Sequence, residues 1–251
     1  MPMESLKILG VRIDAVTAAE ALGKITSFLD SGPGHYVVTP NPEMLVQATR
    51  QPRFRDALNA SCLAIPDGTG LRLAARMRGR RLPERVTGTD LTDDLAALAA
   101  ERGFSVFLLG AAEGVARAAA EVLRGRYPGL KVVGATDGGK VGRDAAGVPR
   151  IGEGTLAAVR QAAPDILLVA FGHGTQEEWI AAHLDGLPSV RVAVGVGGAF
   201  DFISGRVRRA PAWMRRSGLE WLWRLIQEPW RWRRIWRAVV VFPLLVLTRK
   251  G

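Results

Sequence analysis

Five short apolar runs in the first 200 residues are each followed at once by residues that can bind or transform a polar ligand. A carboxyl group can take up a proton, amide and hydroxyl groups can orient a substrate, and glycine lets backbone N–H groups approach a phosphate. Each residue is also an ordinary turn former, so only their convergence on one place would favour a site. They are Thr39, Asn41 and Glu43 at the end of 35–39 and beyond it, Asp67 and Gly68 after 61–65, Gly110 after 105–109, Gly172, Gly174 and Gln176 after 166–171, and Gly195, Gly197, Gly198 and Asp201 after 190–194.

The pattern of apolar runs and helix-like stretches predicts how these residues are positioned. Strands are expected at 8–13, 35–39, 61–65, 105–109, 131–135, 166–171 and 190–194, and helices at 42–50, 69–78, 90–102, from 110 to 127, 155–163 and 175–185. Thr89 or Asp90 is expected to cap the third helix, and 138–154 is expected to be a loop. Strands alternating with helices predict an α/β fold with a mostly parallel sheet and helices on both faces, similar to the Rossmann fold. In such sheets ligands bind beyond the carboxyl ends of the strands, where these residues collect.

Charge divides the chain into two parts. The net charge is +10 over 251 residues. Residues 1–204 carry 22 basic and 22 acidic residues, whereas residues 205–251 carry 12 basic residues against Glu220 and Glu228, a net of 12 − 2 = +10. Six of the seven tryptophans also lie after residue 204. We therefore predict a catalytic core at 1–204 and a basic, Trp-rich, helical appendage at 205–251.

The appendage has the pattern of a helix that lies on a membrane surface. Trp232, Ile235, Trp236, Val239 and Val240 fall on one helical face, and arginines lie largely elsewhere. The alternative is an amphipathic helix packed on the core or on a partner chain. The apolar run 238–247 is about half the length that a membrane span requires, so a peripheral protein is expected.

Several familiar sites are missing from the sequence. It has no Walker A motif, no early G-x-G-x-x-G fingerprint, no Asp-x-Asp pair and no histidine at metal-ligand spacing. No metal and no cofactor are therefore expected. The single cysteine, Cys62, forms no internal disulfide, which favours a reducing cytoplasm, and we expect its thiol to be buried.

Five segments of the chain match the pattern of a known family: 39–43 (TPNPE), 66–68 (PDG), 84–90 (ERVTGTD), 107–110 (FLLG) and 195–229. With them the chain resembles the WecG/TagA/CpsF family of glycosyltransferases, which build teichoic acids, enterobacterial common antigen and exopolysaccharides. The resemblance covers nearly the whole chain, and its longest segment is the most specific. One departure follows the run 166–171, where the family usually reads Gly-x-Pro-Lys-Gln-Glu and this chain has Gly174 and Thr175 in place of Pro-Lys.

The resemblance implies transfer of N-acetylmannosamine, or a related sugar, from its UDP form to undecaprenyl-diphosphate-linked N-acetylglucosamine. It implies inversion without a metal, at the inner face of the plasma membrane. Asp67 is then the expected base, and Thr39 is the second expected catalytic residue, which helps to position the acceptor or the donor. The expected substrate-binding residues are Asn41, Arg85, Gly110, Gly172, Gln176, Gly195, Gly197, Gly198, Asp201, Arg206, Arg209, Arg216 and Arg224.

Other functions remain open at this point. The same family with a different donor, such as UDP-glucose or a UDP-uronic acid, is the first alternative. A nucleic-acid-binding protein would also use basic and aromatic residues, but it would not need polar residues at strand ends, so no nucleic acid is expected. A dehydrogenase would need the missing glycine fingerprint. A non-catalytic scaffold would tolerate loss of Asp67, and that residue could instead be a helix N-cap. A homo-oligomer stays possible.

Overall fold

The structure is a computed structural model that describes residues 4–248. Its strands are β1 (Ser5–Ile8), β2 (Val11–Asp14), β3 (His35–Val38), β4 (Leu63–Ala64), β5 (Ser105–Gly110), β6 (Lys131–Thr136), β7 (Gly142–Arg143), β8 (Pro149–Arg150), β9 (Ile166–Ala170) and β10 (Val192–Gly195). Its helices are α1 (Ala18–Ser31), α2 (Pro42–Ala48), α3 (Pro52–Asn59), α4 (Thr69–Met77), α5 (Gly88–Arg102), α6 (Val115–Arg126), α7 (Glu153–Ala162), α8 (Thr175–His183), α9 (Ala199–Ile203), α10 (Ala212–Arg216), α11 (Glu220–Gln227), α12 (Trp232–Trp236) and α13 (Phe242–Thr248).

Six strands form one parallel sheet in the order β4-β3-β10-β9-β5-β6. The register pairs Val194 of β10 with Val37 of β3 on one side and with Leu168 of β9 on the other. Because all six strands are parallel, their carboxyl ends lie at the same edge. The predicted α/β fold is confirmed.

Each face of the sheet is covered by helices, so the strand side chains are buried on both sides. Successive residues of β9 alternate between two hydrophobic clusters: Leu167 and Val169 face one, and Ile166 and Leu168 face the other. This explains why the central strands read as continuous apolar runs rather than as alternating ones. The first cluster includes α2, α3, α4, α7, α8 and α13, and the second includes α1, α5, α6 and α9.

Three predicted elements differ in the structure. The expected single strand at 8–13 is the antiparallel hairpin β1–β2, because Leu9 and Gly10 adopt left-handed backbone conformations with φ of 50° and 81°. The expected loop at 138–154 contains the short pair β7–β8 and the first turn of α7. The α5 helix is capped by Thr87, whose hydroxyl accepts the Asp90 N–H at 3.1 Å, so the expected cap at Thr89 or Asp90 is wrong.

Two helices and one thiol also depart from the expectations. Helices α1 and α3 have no predicted counterpart, although α1 begins with a capping box: Thr17 Oγ1 accepts the Glu20 N–H at 3.2 Å, and the Glu20 carboxylate accepts the Thr17 N–H at 2.8 Å. The Thr-x-x-Glu spacing is the sequence signal that predicts such a start. Cys62 is exposed rather than buried, because it lies just before β4 at the edge of the sheet.

The appendage is packed onto the core. Helix α13 lies against α2 and α4, and Phe242 and Val246 are buried in the cluster that these helices share. A 3₁₀ turn at Pro229–Arg231 and a π-helical stretch at Arg237–Val241 separate its helices. The boundary after residue 204 stays a prediction. Within residues 4–248, no helix is both long enough and apolar enough to cross a bilayer.

Candidate active site

A cavity of about 930 Å³ lies at the carboxyl edge of the sheet, under the appendage. Residues that follow β3, β4, β9 and β10 deliver most of its polar floor, as the sequence predicts, whereas the turn after β5 contributes Ala111 instead of the predicted Gly110. Helices α11 to α13 supply much of the rest of its wall. The predicted residues that line it are Thr39, Asn41, Asp67, Arg85, Gly172, Gln176, Gly197, Gly198, Asp201 and Arg224. The predicted residues outside its lining are Gly110, Gly195, Arg206, Arg209 and Arg216.

Asp67 is the carboxyl group best suited to proton transfer. It follows β4 in the turn before α4, where its backbone N–H donates to the Pro40 carbonyl at 2.9 Å. Burial raises the pKa of Asp67 to about 7; Arg85 opposes that rise, and Glu220 and Asp90 add to it. The N-cap position of α4 belongs to Gly68, and no side chain caps this helix. The structure therefore does not use Asp67 as a helix cap, which was the competing interpretation.

Arg85 and Glu220 join the core to the appendage beside Asp67. Arg85 donates from Nη2 to Glu220 Oε2 at 2.7 Å, and both side chains are largely buried. Arg209 is held next to this pair, because its Nη1 lies 2.6 Å from Asp90 Oδ1 and its Nη2 donates to Thr87 Oγ1 at 3.1 Å. Arg209 thus ties the appendage to α5 instead of facing the cavity.

Thr39 and Asn41 follow β3 at the centre of the cavity floor. Thr39 is buried, and its hydroxyl contacts the Gly195 carbonyl at 3.5 Å. Asn41 caps α2, since its Oδ1 accepts the Met44 N–H at 3.0 Å. The cap occupies one lone pair of the Asn41 amide oxygen and leaves its NH₂ group, which is a donor, for other partners.

Gln176 organises the turn after β10. Its Oε1 accepts the Gly197 N–H at 3.1 Å, and its Nε2 donates to Glu177 Oε1 at 2.8 Å. Glu177 accepts the Gly174 N–H at 2.6 Å through its other oxygen. Burial raises the pKa of Glu177 to about 7 against these hydrogen bonds. A buried network thus fixes both glycine turns at the cavity floor.

The predicted glycines have different roles. A Cβ at Gly110 would lie 2.7 Å from the Ala170 backbone, and one at Gly195 would lie 2.7 Å from Gln176 Nε2, so both glycines permit close packing behind the cavity. Gly172 and Gly197 line the cavity with φ of 81° and 56° and have open space beside them. Such turns present backbone to a ligand.

The departure at Gly174 has a structural basis. Gly174 has φ of 88°, a conformation that proline cannot adopt, because its ring fixes φ near −65°. A Cβ there would also lie 2.6 Å from Gln47 Nε2. The turn before α8 therefore takes a different path from one built on the Pro-Lys of the family pattern.

Three appendage arginines line the cavity, and the prediction included only Arg224. The guanidinium of Arg224 lies 4.6 Å from the Phe202 ring centre and pairs with Glu228, which also pairs with Arg231 Nε at 2.9 Å. Arg231 and Arg234 were missed, because their side-chain directions depend on the 3₁₀ turn and the docking of α12. Arg206 and Arg216 are exposed.

Arg234 connects the appendage to two strand ends. Its Nε donates to both oxygens of Glu43 at 3.0 Å, and its Nη2 donates to His173 Nδ1 at 2.7 Å. Burial lowers the pKa of His173 to about 4 against the influence of Glu43, and the nearby arginines lower it further. A neutral imidazole accepts this hydrogen bond, so His173 and Glu43 together hold Arg234 at the cavity wall.

The site places the half-buried carboxyl group of Asp67 in a cavity that four arginines line. The described part of the chain holds no group of three or more His, Cys, Asp or Glu side chains arranged to bind a metal ion. Polar residues lie at the strand ends, and another part of the lining is apolar, formed by Leu73, Trp221, Ile235, Val239 and Pro243. Because Leu73, Trp221 and Val239 are exposed, we take this apolar part as the mouth of the cavity. Such a cavity can hold an anionic substrate that carries an apolar chain.

Comparison with known proteins identifies the family. Residues 6–251 match the Glycosyl transferase WecG/TagA/CpsF family, and the chain therefore belongs to that family and is a glycosyltransferase.

Relatives named N-acetylglucosaminyldiphosphoundecaprenol N-acetyl-beta-D-mannosaminyltransferase cover most of this chain. The protein of Bacillus subtilis (strain 168) is 34% identical over 84% of this chain and 82% of its own length. That of Bacillus spizizenii is 36% identical over 84% and 78%, and that of Staphylococcus aureus (strain MW2) is 31% identical over 92% and 86%.

The Gln176 network gives a testable prediction about stability. Gln176→Leu removes the acceptor of the Gly197 N–H and a donor to Glu177, so the free energy of unfolding should fall by about 1–3 kcal/mol. Losing that donor raises the pKa of Glu177 further. The folded state then holds the proton to higher pH, and the deficit should be larger at pH 8 than at pH 6. Denaturant unfolding at both pH values measures this. Gln161→Leu, at an exposed position of α7, should change stability by less than about 0.5 kcal/mol at either pH; equal deficits for the two variants would contradict the network.

Proposed function

We propose that this glycosyltransferase moves N-acetylmannosamine from its UDP derivative to undecaprenyl-diphosphate-linked N-acetylglucosamine, with inversion at the anomeric carbon and without a metal ion. The observation that carries the proposal is the position of Asp67: a carboxyl group with its pKa raised to about 7 in a cavity lined by four arginines. The names of the relatives supply the sugar and the acceptor.

In the proposed reaction Asp67 takes the proton of an acceptor hydroxyl. The hydroxyl oxygen bonds to the anomeric carbon of the donor from the side opposite the diphosphate. The bond from that carbon to the diphosphate oxygen breaks, UDP carries away the electron pair, and the configuration inverts. A base with a pKa near the working pH is suited to this transfer, because it is partly ionised yet still basic.

The arginines are proposed to stabilise the leaving diphosphate. Arg85, Arg224, Arg231 and Arg234 line one cavity, and guanidinium groups bind phosphate oxygens through paired hydrogen bonds. The Gly197–Gly198 turn lines the same space, and the N–H of Gly198, unlike that of Gly197, is not bonded to Gln176. In this proposal these groups supply the charge stabilisation that a divalent ion provides in other transferases.

The appendage is proposed to hold the enzyme on the cytoplasmic face of the plasma membrane. Trp230, Trp232 and Trp236 are exposed by 71%, 56% and 55%, with arginines close by in the chain. Tryptophan and arginine in this arrangement suit the interface of an anionic bilayer. Of the face predicted from the sequence, Ile235 and Val239 line the cavity mouth, so the same segment would meet both the lipid and the substrate.

Transfer of a different donor sugar is the second candidate function, and the conformation of the turn at Gly174 is the observation that supports it. That turn takes a path that the proline of the family pattern forbids, and the neighbouring His173 lines the cavity. A change at this wall is positioned to alter which sugar fits.

The reaction is tested by measuring UDP release from a panel of UDP-sugars with a short-chain lipid-diphosphate N-acetylglucosamine as acceptor and EDTA present. We expect release with UDP-N-acetylmannosamine at the same rate with and without EDTA. Release with another sugar alone would correct the donor, and a loss of activity in EDTA that Mg²⁺ restores would overturn metal independence. No release with any sugar and a wide acceptor panel would favour a non-catalytic scaffold.

Replacing Asp67 separates its catalytic role from a structural one. Asp67→Asn keeps the size of the side chain but removes the base, so we expect turnover to fall by at least about 100-fold. The unfolded chain releases the Asp67 proton near the ordinary pKa of 3.8, whereas the folded protein holds it to about pH 7. This carboxyl group therefore lowers stability progressively between these two pH values, and the loss is complete above about pH 7. The variant should therefore melt at the same or a higher temperature at pH 8. Near-normal turnover would exclude Asp67 as the base.

The ion pair beside Asp67 should set the pH dependence of the reaction. The base must be deprotonated, so kcat/KM should fall about tenfold per pH unit below about pH 7 and level off above it. Arg85→Gln should move this limb to higher pH, because the positive charge that lowers the pKa is gone, and Glu220→Gln should move it to lower pH. Asp137→Asn, which removes a cavity carboxylate at the far strand, should leave the midpoint in place. Unmoved midpoints in both Arg85→Gln and Glu220→Gln would contradict the assignment.

A further inference from the structure

Helix α4 of the core exposes apolar side chains that its own packing does not require. Leu73 and Met77 are 55% and 48% exposed, and their spacing of four residues places them on the same face of the helix. The opposite face is buried through Leu71, Ala74 and Ala75. Helix α4 thus has two apolar faces: one packs against the core, and the other is exposed to solvent.

The chain around α4 is strongly basic, although residues 1–204 are balanced in total. Residues 72–85 hold six arginines and one acid, Glu84, a net of 6 − 1 = +5. Two of the arginines are engaged with the N-terminal strand: Arg78 donates to the Lys7 carbonyl at 2.8 Å, and Arg80 pairs with Glu4. Arg76 and Arg81 are exposed to solvent. Exposed apolar and cationic side chains therefore occur together on this part of the core.

This face is continuous with the appendage. A Cβ on Gly70 would lie 3.6 Å from the Phe242 ring, so α13 crosses close to the start of α4. Leu244 and Leu247 of α13 are 55% and 63% exposed. Leu73 itself lines the cavity mouth, together with Pro243 at the start of α13. The mouth of the cavity therefore opens between α4 and α13.

We propose that α4 and the Arg78–Arg81 segment form, with α13, a surface that binds anionic phospholipid and sets the cavity mouth against the bilayer. This rests on the proposed function, in which the acceptor is carried on a lipid. Apolar side chains flanked by arginines match both the acyl region and the negative headgroups of such a bilayer. A nucleic acid would match the charge but not the outward leucine and methionine. The core would then contact lipid directly, rather than through the appendage alone.

The test uses the full chain carrying Arg76→Gln and Met77→Gln together. Neither side chain lines the cavity, and both are exposed on a helix where glutamine is well tolerated. The control carries Arg117→Gln on α6 and Val133→Gln on β6, an equally exposed arginine and apolar pair. Co-sedimentation with vesicles of phosphatidylglycerol and phosphatidylcholine, and with phosphatidylcholine alone, measures binding.

We expect the α4 variant to bind the phosphatidylglycerol vesicles at least about fivefold more weakly than the parent chain, since each arginine near an anionic surface contributes on the order of 1 kcal/mol. The control variant should bind like the parent. Equal binding of the two variants would overturn the proposal. A change in oligomeric state by light scattering, with unchanged vesicle binding, would also overturn it and assign the face to a second copy of this chain.

Activity measurements keep this proposal separate from the proposed function. The α4 variant should retain transfer to a water-soluble, short-chain acceptor and lose transfer to a long-chain acceptor embedded in vesicles. Vesicle binding needs neither donor nor acceptor. A chain that binds vesicles through α4 but releases no UDP would therefore contradict the proposed transfer reaction and still support the proposed lipid-binding surface. A chain that transfers equally well to both acceptors in both variants would refute the surface and leave the function standing.

Discussion

The ion pair between Arg85 and Glu220 is the contact on which the arrangement of the site depends. It joins the segment between α4 and α5 to the start of α11, at a distance of 2.7 Å. Asp67 lies within the field of both charges, and burial raises its pKa. The neighbouring contacts of Arg209 with Asp90 and Thr87 hold the chain that leads into α11. The contact that joins the appendage to the core therefore also shifts the pKa of the proposed base.

The floor of the cavity has a different origin, because it is built from backbone. Parallel strands bring the turns after β3, β4, β9 and β10 to one edge, and buried side chains then fix the shape of those turns. Gln176 does this for the Gly197 turn, and Glu177 does it for Gly174. A buried carboxyl group that satisfies two backbone or amide donors is costly to ionise but holds geometry well. The glycine turns are thus rigid despite their composition.

Much of this site could be predicted from the sequence, because it depends on local pattern. Apolar runs ending in polar residues located the floor, and Asp67, Thr39 and Gln176 all lie there.

For the appendage, the sequence predicted a basic, Trp-rich, helical segment but not the direction of its side chains. Which arginines face the cavity depends on how α11 and α12 are rotated, and a 3₁₀ turn and a π-helical stretch interrupt the 3.6-residue period between them and α13. Arg231 and Arg234 therefore line the cavity, whereas Arg206 and Arg216, equally basic in the sequence, do not. The hairpin at Leu9–Gly10 was hidden for a similar reason: a left-handed leucine leaves no mark in a hydrophobicity pattern.

The arginines of the cavity carry a further consequence for binding. Each already has an acidic partner: Arg85 pairs with Glu220, Arg224 and Arg231 share Glu228, and Arg234 pairs with Glu43. Before a ligand binds, these acidic partners offset the free-energy cost of holding four partly desolvated guanidinium groups close together. A phosphate that enters must compete with the carboxylate that already pairs with each arginine. Its net binding free energy is therefore the difference between an arginine–phosphate pair and an arginine–carboxylate pair. A single negative charge gains little from such an exchange, whereas a diphosphate meets several guanidinium groups at once through paired hydrogen bonds. The pre-paired cavity thus discriminates by the number and spacing of anionic oxygens, and it does so before the sugar is recognised.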